Sequence, residues 1–414
     1  MPTNKSPLAV IFLTIFLDLL GFGLVIPLLP FFAKELGASG FQVGVLMTAY
    51  SAMQFLCAPF WGRLSDRIGR RPVLLVSIAG NAAAMLLFAL STNLVIFFLA
   101  RAFAGMANAN IGTAQAYIAD VTPPEKRAQG MGLIGAAFGL GFVLGPAVGG
   151  LLASFGLAAP ALAAAGLSAL NFALAWFRLP ESLPPEARAA AAQRRGSRLA
   201  TFHASLGHPV LPLLFLLFFL ATAGFSQLET TFALFTEKRF AFGARENGYL
   251  FAFIGVVLAL VQGGLVRPLR RRMGEAAMLL LGTILLTAGL LLVARVESTA
   301  GLIAACAVLA VGNGLQNPAL SSLVSRQAAA HEQGRILGVN QSMGSLARIV
   351  GPLVGGAAFE LGGAAPSLSL GPVHLQFAAW STPFLVAALI LAVATLLSLR
   401  IFLRRDRPEL APST

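Results

Sequence analysis

Long apolar runs alternate with short polar breaks along the whole chain. Twelve runs stand out, at about 8–33, 41–63, 72–92, 95–118, 128–154, 158–178, 209–236, 245–268, 275–295, 299–325, 334–361 and 377–401. Each holds roughly the twenty residues a helix needs to cross the hydrocarbon core of a bilayer. A helix satisfies its own backbone, so runs of this kind predict an all-α polytopic membrane protein with twelve transmembrane helices. The first run carries Asp18, has only Lys5 ahead of it, and lacks a small-residue cleavage site, so it reads as a retained helix.

Composition agrees, with 57% hydrophobic and 11% charged residues among 414. The net charge of +13 does not point to nucleic acid, because the positive charge is spread over short loops. One set of loops carries Arg63, Arg67, Arg70 and Arg71, then Arg188, Arg194, Arg195 and Arg198, then Arg267, Arg270, Arg271 and Arg272, and last Arg404, Arg405 and Arg407. The opposite loops are close to neutral, with Lys34 beside Glu35 and Arg295 near Glu297. Lysine and arginine collect on the cytoplasmic side, so both termini are expected there, in a cell membrane of the bacterial inner-membrane type. Cys57 and Cys306 fall inside apolar runs and read as small buried hydrophobes.

Leu179–His208, rich in Pro, Ala and Arg, divides the runs six and six. It reads as a linker at residues 179–208 between a bundle at 1–178 and a second at 209–414. The halves look duplicated. Gly145-Pro146-Ala147-Val148-Gly149-Gly150 recurs as Gly351-Pro352-Leu353-Val354-Gly355-Gly356, 206 residues on, and Leu20-Gly21-Phe22 meets Ala223-Gly224-Phe225. Duplicated offsets at corresponding runs predict two related six-helix halves.

Gly62–Pro72 reads G-R-L-S-D-R-I-G-R-R-P, a basic turn between the second and third runs. Gly62 and Gly69 permit a tight turn, Pro72 suits the first turn of the next helix, and Asp66 inside an arginine cluster exceeds what an anchor requires. Its counterpart, Gly264–Gly274, keeps the arginines and loses the aspartate. Asp120 closes the fourth run as a helix-end residue or as a partner for Arg70. In the fifth run Gly135, Gly139, Gly141, Gly145, Gly149 and Gly150 make a smooth face for close helix approach, and Pro146 kinks it. Pro352 repeats that kink.

Four ionisable residues lie inside runs: Asp18, Arg101, Glu229 and Arg348. Each costs roughly 2.5–3.5 kcal/mol at a helix centre on insertion scales, which makes each a functional candidate; a structural ion pair is the alternative. Asp18 and Glu229 are the expected proton carriers, with Arg101 and Arg348 tuning them. Arg101, Gly105, Asn108, Gly112 and Gln115 share one helix face by spacing, which reads as cavity-lining. Phe225 and Glu229 share a face of the seventh run. Tyr50, Gln54, Phe225, Gln227, Asn313, Gln316 and Asn317 are further cavity candidates. His203, His208, His331 and His374 lack metal-ligand spacing, and no phosphate-binding loop occurs, so neither an enzyme, a metal nor an ATP-driven pump is indicated.

The Gly62–Pro72 segment resembles the signature loop of the major facilitator superfamily, whose members carry it between helices 2 and 3. The resemblance implies the major facilitator fold of two pseudo-symmetric six-helix bundles, with this loop acting as a gate. Arg101-x3-Gly105 resembles the family's helix-4 motif, which implies proton coupling. G-P-x-x-G-G resembles the helix-5 motif of drug–proton antiporters. Leu17-Asp18, the D-R-I-G-R-R-P stretch and Ala116-Tyr117-Ile118-Ala119-Asp120 are similar to the tetracycline-efflux group. That group carries acids in helices 3 and 9, where this chain has Ala84 and Leu286. The implied function is a proton-coupled antiporter that exports hydrophobic or amphipathic small molecules as a monomer, with the proton as the only coupling agent and lipid around it. Export of a specific metabolite, sugar or lipid is the other transport reading. A non-transporting scaffold or receptor is the reading from another class.

Overall fold

The structure is a computed structural model that describes residues 7–123, 127–186, 188, 203, 207–327, 333–370 and 373–403. Most of the predicted linker lies outside the described residues, as do Arg194, Arg195, Arg198, His331, Arg404, Arg405 and Arg407. Helix occupies most of each of the twelve predicted stretches. Among the described residues nine helical segments are long and apolar enough to cross a membrane, and one of them, Ala244–Arg295, covers two predicted spans. Arg127–Leu152 and Gln333–Leu361 fill the remaining two stretches. Side chains such as Leu56, Val95, Phe177 and Leu389 stand exposed on the helices, which suits a hydrocarbon surround.

The chain forms two compact units. The first takes Met1–Ala38, Ala49–Arg195 and Gly243–Ala252; the second takes Ser39–Thr48, Gly196–Phe242 and Phe253–Thr414. In the first unit α1 (Pro7–Val25) continues through a tighter turn at Ile26–Leu28 into α2 (Leu29–Glu35). Pro27 and Pro30 lack the N–H that an unbroken helix would use there. Then come α3 (Gly40–Ile68), whose residues up to Thr48 belong to the second unit, α4 (Arg70–Ala89), α5 (Leu94–Ala107), α6 (Ile111–Val121), α7 (Arg127–Leu152) and α8 (Ala158–Arg178). Its core joins Ile11 and Leu19 of α1 to Leu74 and Ile78 of α4, Tyr117 and Ile118 of α6, and Ala175 of α8.

The second unit holds α9 (Leu211–Phe240), α10 (Ala244–Leu260) from Phe253 onward, its start belonging to the first unit, a wide turn at Val261–Leu265, α11 (Val266–Arg295), α12 (Thr299–Arg326), α13 (Gln333–Leu361) and α14 (Thr382–Leu403). Local devices recur between the units. Asn93 accepts the Ile96 N–H at 3.0 Å to cap α5, and Ser298, 205 residues on, accepts the Gly301 N–H at 3.1 Å to cap α12.

Four expectations are corrected. The Gly62–Pro72 loop is almost entirely helical: α3 runs to Ile68, α4 starts at Arg70, and Gly69 turns the chain alone at φ +109°. Only glycine adopts that conformation readily, so one residue suffices. The fourth span is interrupted between α5 and α6 at Asn108–Asn110. The twelfth span starts at Thr382, because the chain before it folds into a small hairpin, β1 (Ser367–Leu370) antiparallel to β2 (Val373–Gln376). The fold is thus all-helical in its spans with one short hairpin outside them. Finally, Gly274 lies inside α11 with φ +77° and breaks it, which changes the alignment of the second basic turn.

Candidate functional site

Asp18 sits half-buried on α1. The Asn171 amide of α8 donates to its carboxylate at 2.9 Å and to the Thr14 carbonyl at 3.0 Å. Asn110, at the start of α6, also bonds the Asp18 carboxyl. Sequence reasoning missed both asparagines, since neither lies near Asp18 in the chain. Buried Asn171 is held by two bonds from one amide, so it fixes the position of the carboxylate against α8.

Asn110 belongs to the interruption of the fourth span. A helix that stops inside a membrane leaves carbonyls that need donors. Here the Trp61 indole N–H donates to the Met106 carbonyl at 2.6 Å, the Ser77 hydroxyl donates to the Ala107 carbonyl, and the Gln54 amide donates to the Asn108 carbonyl at 3.1 Å. The Asn108 amide itself donates to Asn81 at 2.7 Å, and Asn81 donates to Ser168 at 2.9 Å. The predicted single face of Arg101, Gly105, Asn108, Gly112 and Gln115 is therefore split. Asn108 and Gln54 hold helices together, and Gln115 stands exposed on α6.

Arg101 is fully buried on α5, and its guanidinium lies 4.6 Å from the centre of the Tyr50 ring. Attraction between a desolvated guanidinium and a ring face offsets part of the cost of burying the charge. Gly105, one turn on, lets α5 approach α3 so closely that a Cβ there would fall on the Tyr50 carbonyl. Tyr50 is thus a support for Arg101, buried at 7% exposure, and no open cavity wall is made of it.

In the second unit Glu229 and Arg348 are both half-buried and close enough to interact electrostatically. Phe225 and Asn313 are half-buried, and Asn317 is exposed. Gln227 departs from expectation: it is fully buried and packs against Gly355, 3.2 Å from where a Cβ would stand. Among the described residues its amide nitrogen and oxygen have no hydrogen-bond partner, and neither do those of Gln316 beside Gly282. Ala84 and Leu286 are fully buried.

The glycine motifs sit at backbone contacts. A Cβ on Gly145 would stand 2.6 Å from Gly23 Cα, and those on Gly141 and Gly149 would meet the backbones of Leu19 and Leu24 of α1. In the second unit Gly351 meets Ala223 and Ser226 of α9 in the same way. Gly150 meets Gly248 at 2.9 Å, and Gly356 meets Gly44 at 3.2 Å, so the last glycine of each motif seats the start of another helix. The Pro146 and Pro352 carbonyls face Gly248 and Gly44 respectively.

At the Gly69 turn, buried Arg70 pairs with Asp66 on the preceding helical turn and reaches Asp120 at 3.2 Å, while Ser65 accepts from it at 2.8 Å. Glu181, just beyond α8, was not singled out from the sequence. Its carboxylate accepts the Arg70 N–H at 2.8 Å and the Arg71 N–H at 3.2 Å, an anion at the N-terminus of α4. Arg71 also donates to the Trp176 carbonyl at 2.6 Å and lies over the Trp176 ring. Gly62 is buried, and Arg63 and Arg67 are exposed. At the second turn, Glu275 follows Gly274 directly and pairs with Arg326 at 2.9 Å, with Ser322 donating to it at 3.3 Å. The second turn therefore does have a carboxylate, one place beyond Gly264–Gly274.

A twelve-stretch helical chain with this turn, these glycine contacts and carboxylates inside its spans belongs to the Major Facilitator Superfamily, which matches residues 11–352 and 272–414. It is a multi-pass membrane protein of a transporter family and not an enzyme. It is 37% identical over 355 residues to the tetracycline resistance protein, class C, of Escherichia coli, covering 85% of this chain and 89% of that one. It is 32% identical to multidrug resistance protein 2 of Bacillus subtilis (strain 168), covering 90% and 93%. Among solved structures, the human organic anion transporter MFSD10 (TETRAN) superposes with a TM-score of 0.67 at 29% identity over 96% of this chain and 100% of that one.

Proposed function

We propose that this chain is a proton-coupled antiporter that exports hydrophobic or amphipathic small molecules by alternating access. The relatives named for tetracycline and multidrug resistance support efflux as the direction. Burial of Ala84 and Leu286, where the tetracycline group carries acids, favours amphipathic compounds other than tetracycline. In this reading both termini are cytoplasmic, in a bacterial inner membrane, and the protein works as a monomer. Asp18 is the principal proton carrier. The observation that carries this role is a carboxylate inside a span, bound by two neutral asparagine amides. Amides accept either protonation state, donating to the carboxylate or accepting from the acid, so the site works in both halves of a cycle. Glu229 near Arg348 serves a second proton or a cationic substrate. Arg101 supports the first site from α5, and the Arg70–Asp66–Asp120 cluster biases the transport equilibrium.

The test is uptake into inverted vesicles driven by a proton gradient, screened over a panel of neutral and cationic compounds. Asp18→Asn is expected to abolish accumulation while leaving downhill exchange partly intact, since an amide carries no proton. Full uphill transport by that variant overturns the assignment. Glu229→Gln is expected to lose cationic compounds more than neutral ones; unchanged transport of both makes Glu229 structural.

A further inference from the structure

Between the wide turn at Val261–Leu265 and the break at Gly274 lies a short helical piece, Val266–Met273. Arg267, Arg270 and Arg271 stand at i, i+3 and i+4 and share one face, with Arg272 beside them. Val266 and Met273 flank Arg270 at i−4 and i+3, and Leu269 lies one turn before Arg272, so apolar side chains are interleaved with the arginines around this piece. All four arginines are exposed. Arg267, Pro268, Arg271 and Arg272 line an open cleft of about 430 Å³. Leu260 and Leu265, at the adjoining turn, are 68% and 46% exposed. The carboxylate that follows in sequence, Glu275, is engaged by Arg326 and Ser322. Among the described residues no ion pair is formed by these four arginines, whereas Arg70 at the equivalent turn of the first unit has Asp66 and Asp120. A concentrated positive cleft beside bare apolar side chains, at the end of a membrane helix, matches a ligand with an anionic head and an apolar tail.

We propose that this cleft binds the phosphate of an anionic phospholipid, with its acyl chains along Leu260 and Leu265. Guanidinium forks match phosphate oxygens in paired hydrogen bonds, and each basic group near an anionic membrane surface adds to the attraction. A free phosphate could use the arginines but would leave the two leucines without a role.

Native mass spectrometry of the purified full chain, titrated with phosphatidylglycerol and separately with phosphatidylcholine, measures the binding. The parent is expected to retain phosphatidylglycerol preferentially. Changing Arg267, Arg271 and Arg272 together to Gln is expected to weaken that binding roughly tenfold to a hundredfold, and changing them to Lys to restore only the part that charge alone supplies. Equal binding by the parent and the Gln variant overturns the site. So does displacement of the lipid by millimolar inorganic phosphate, which assigns the cleft to a free anion. Should the Gln variant fail to insert, a photoactivatable phosphatidylglycerol crosslinked to the parent decides the matter. Label within residues 260–273 supports the site, and label confined elsewhere overturns it.

Discussion

At Gly69 the chain turns with φ +109° into α4, and the next residue is Arg70; at Gly274, 205 residues on, it turns with φ +77° within α11, and the next residue is Glu275. Arg70 pairs with Asp120 near the end of α6, and Glu275 pairs with Arg326 at the end of α12, 206 residues beyond Asp120. Backbone and pair positions correspond while the polarity is reversed. A pair bracketing a turn therefore needs opposite charges at two places and no particular sign at either. The reversal has a consequence for neighbours. In the first unit a separate carboxylate, Glu181, supplies the anion at the helix start. In the second, Glu275 is at once the anion at the helix start and the partner of Arg326. Burial differs too: the Arg70 and Asp66 side chains are 7% and 5% exposed, while Arg326 is 41% exposed.

That difference in burial predicts unequal costs. Arg70→Gln removes the guanidinium that buried Asp66 shares with Asp120 and is expected to cost about 3 kcal/mol, in the range found for breaking buried pairs. Glu275→Gln unpairs an exposed arginine and is expected to cost under about 1 kcal/mol. Unfolding midpoints of purified variants measure both, and equal losses would break the distinction between the two turns. Exchanging Glu275 and Arg326 for Arg and Glu sharpens it. That double variant should lose more than its ion pair predicts, because a cation then sits at the helix start.

The glycine contacts give the next largest effect. Gly145→Ala forces a Cβ against Gly23 Cα, backbone against backbone, and is expected to cost about 2 kcal/mol as overpacking and to slow transport. Gly355→Ala meets Gln227 at 3.2 Å, much of it side chain, and should cost less than half as much. A variant series with the order reversed would show that the two helix pairs are not packed alike.

The most local expected effect contrasts the interrupted fourth span with α12, which runs unbroken from Thr299 to Arg326. Gln54→Leu removes the donor to the Asn108 carbonyl and is expected to cost about 1 kcal/mol. Hydrogen exchange should quicken at residues 108–113 and stay unchanged in α12. No local change would mean that the interruption does not depend on this donor.

The spans were legible because run length and hydropathy alone decide whether a helix suits hydrocarbon. Breaks within spans were not, because they depend on groups distant in sequence. Asn108–Asn110 stops a helix only where Trp61, Ser77 and Gln54 can supply donors. The carboxylate of the second turn was hidden for a related reason: matching arginines by eye anchors the copy on Gly264, and only the backbone at Gly274 reveals Glu275 as the counterpart of Arg70. The cavity candidates show what polarity cannot tell. Gln227 and Tyr50 are polar residues on spans, yet one lies buried against Gly355 and the other beneath Arg101. Asp18 was legible as a costly charge, while Asn110 and Asn171, which hold it, were ordinary asparagines until the fold placed them.

The interruption between α5 and α6 also constrains how the protein is made. Fourteen residues of α5 span about 21 Å and eleven of α6 about 16 Å, each short of the ~30 Å hydrocarbon core. Neither piece could be laid across the bilayer alone, and bare carbonyls at Ala107 and Asn108 would cost several kcal/mol each in lipid. During biogenesis Leu94–Val121 must therefore enter as one continuous helix. Its break can form only after α3 and α4 have docked with Trp61, Gln54 and Ser77 in place, so the geometry around Asp18 is completed late, by assembly and not by insertion.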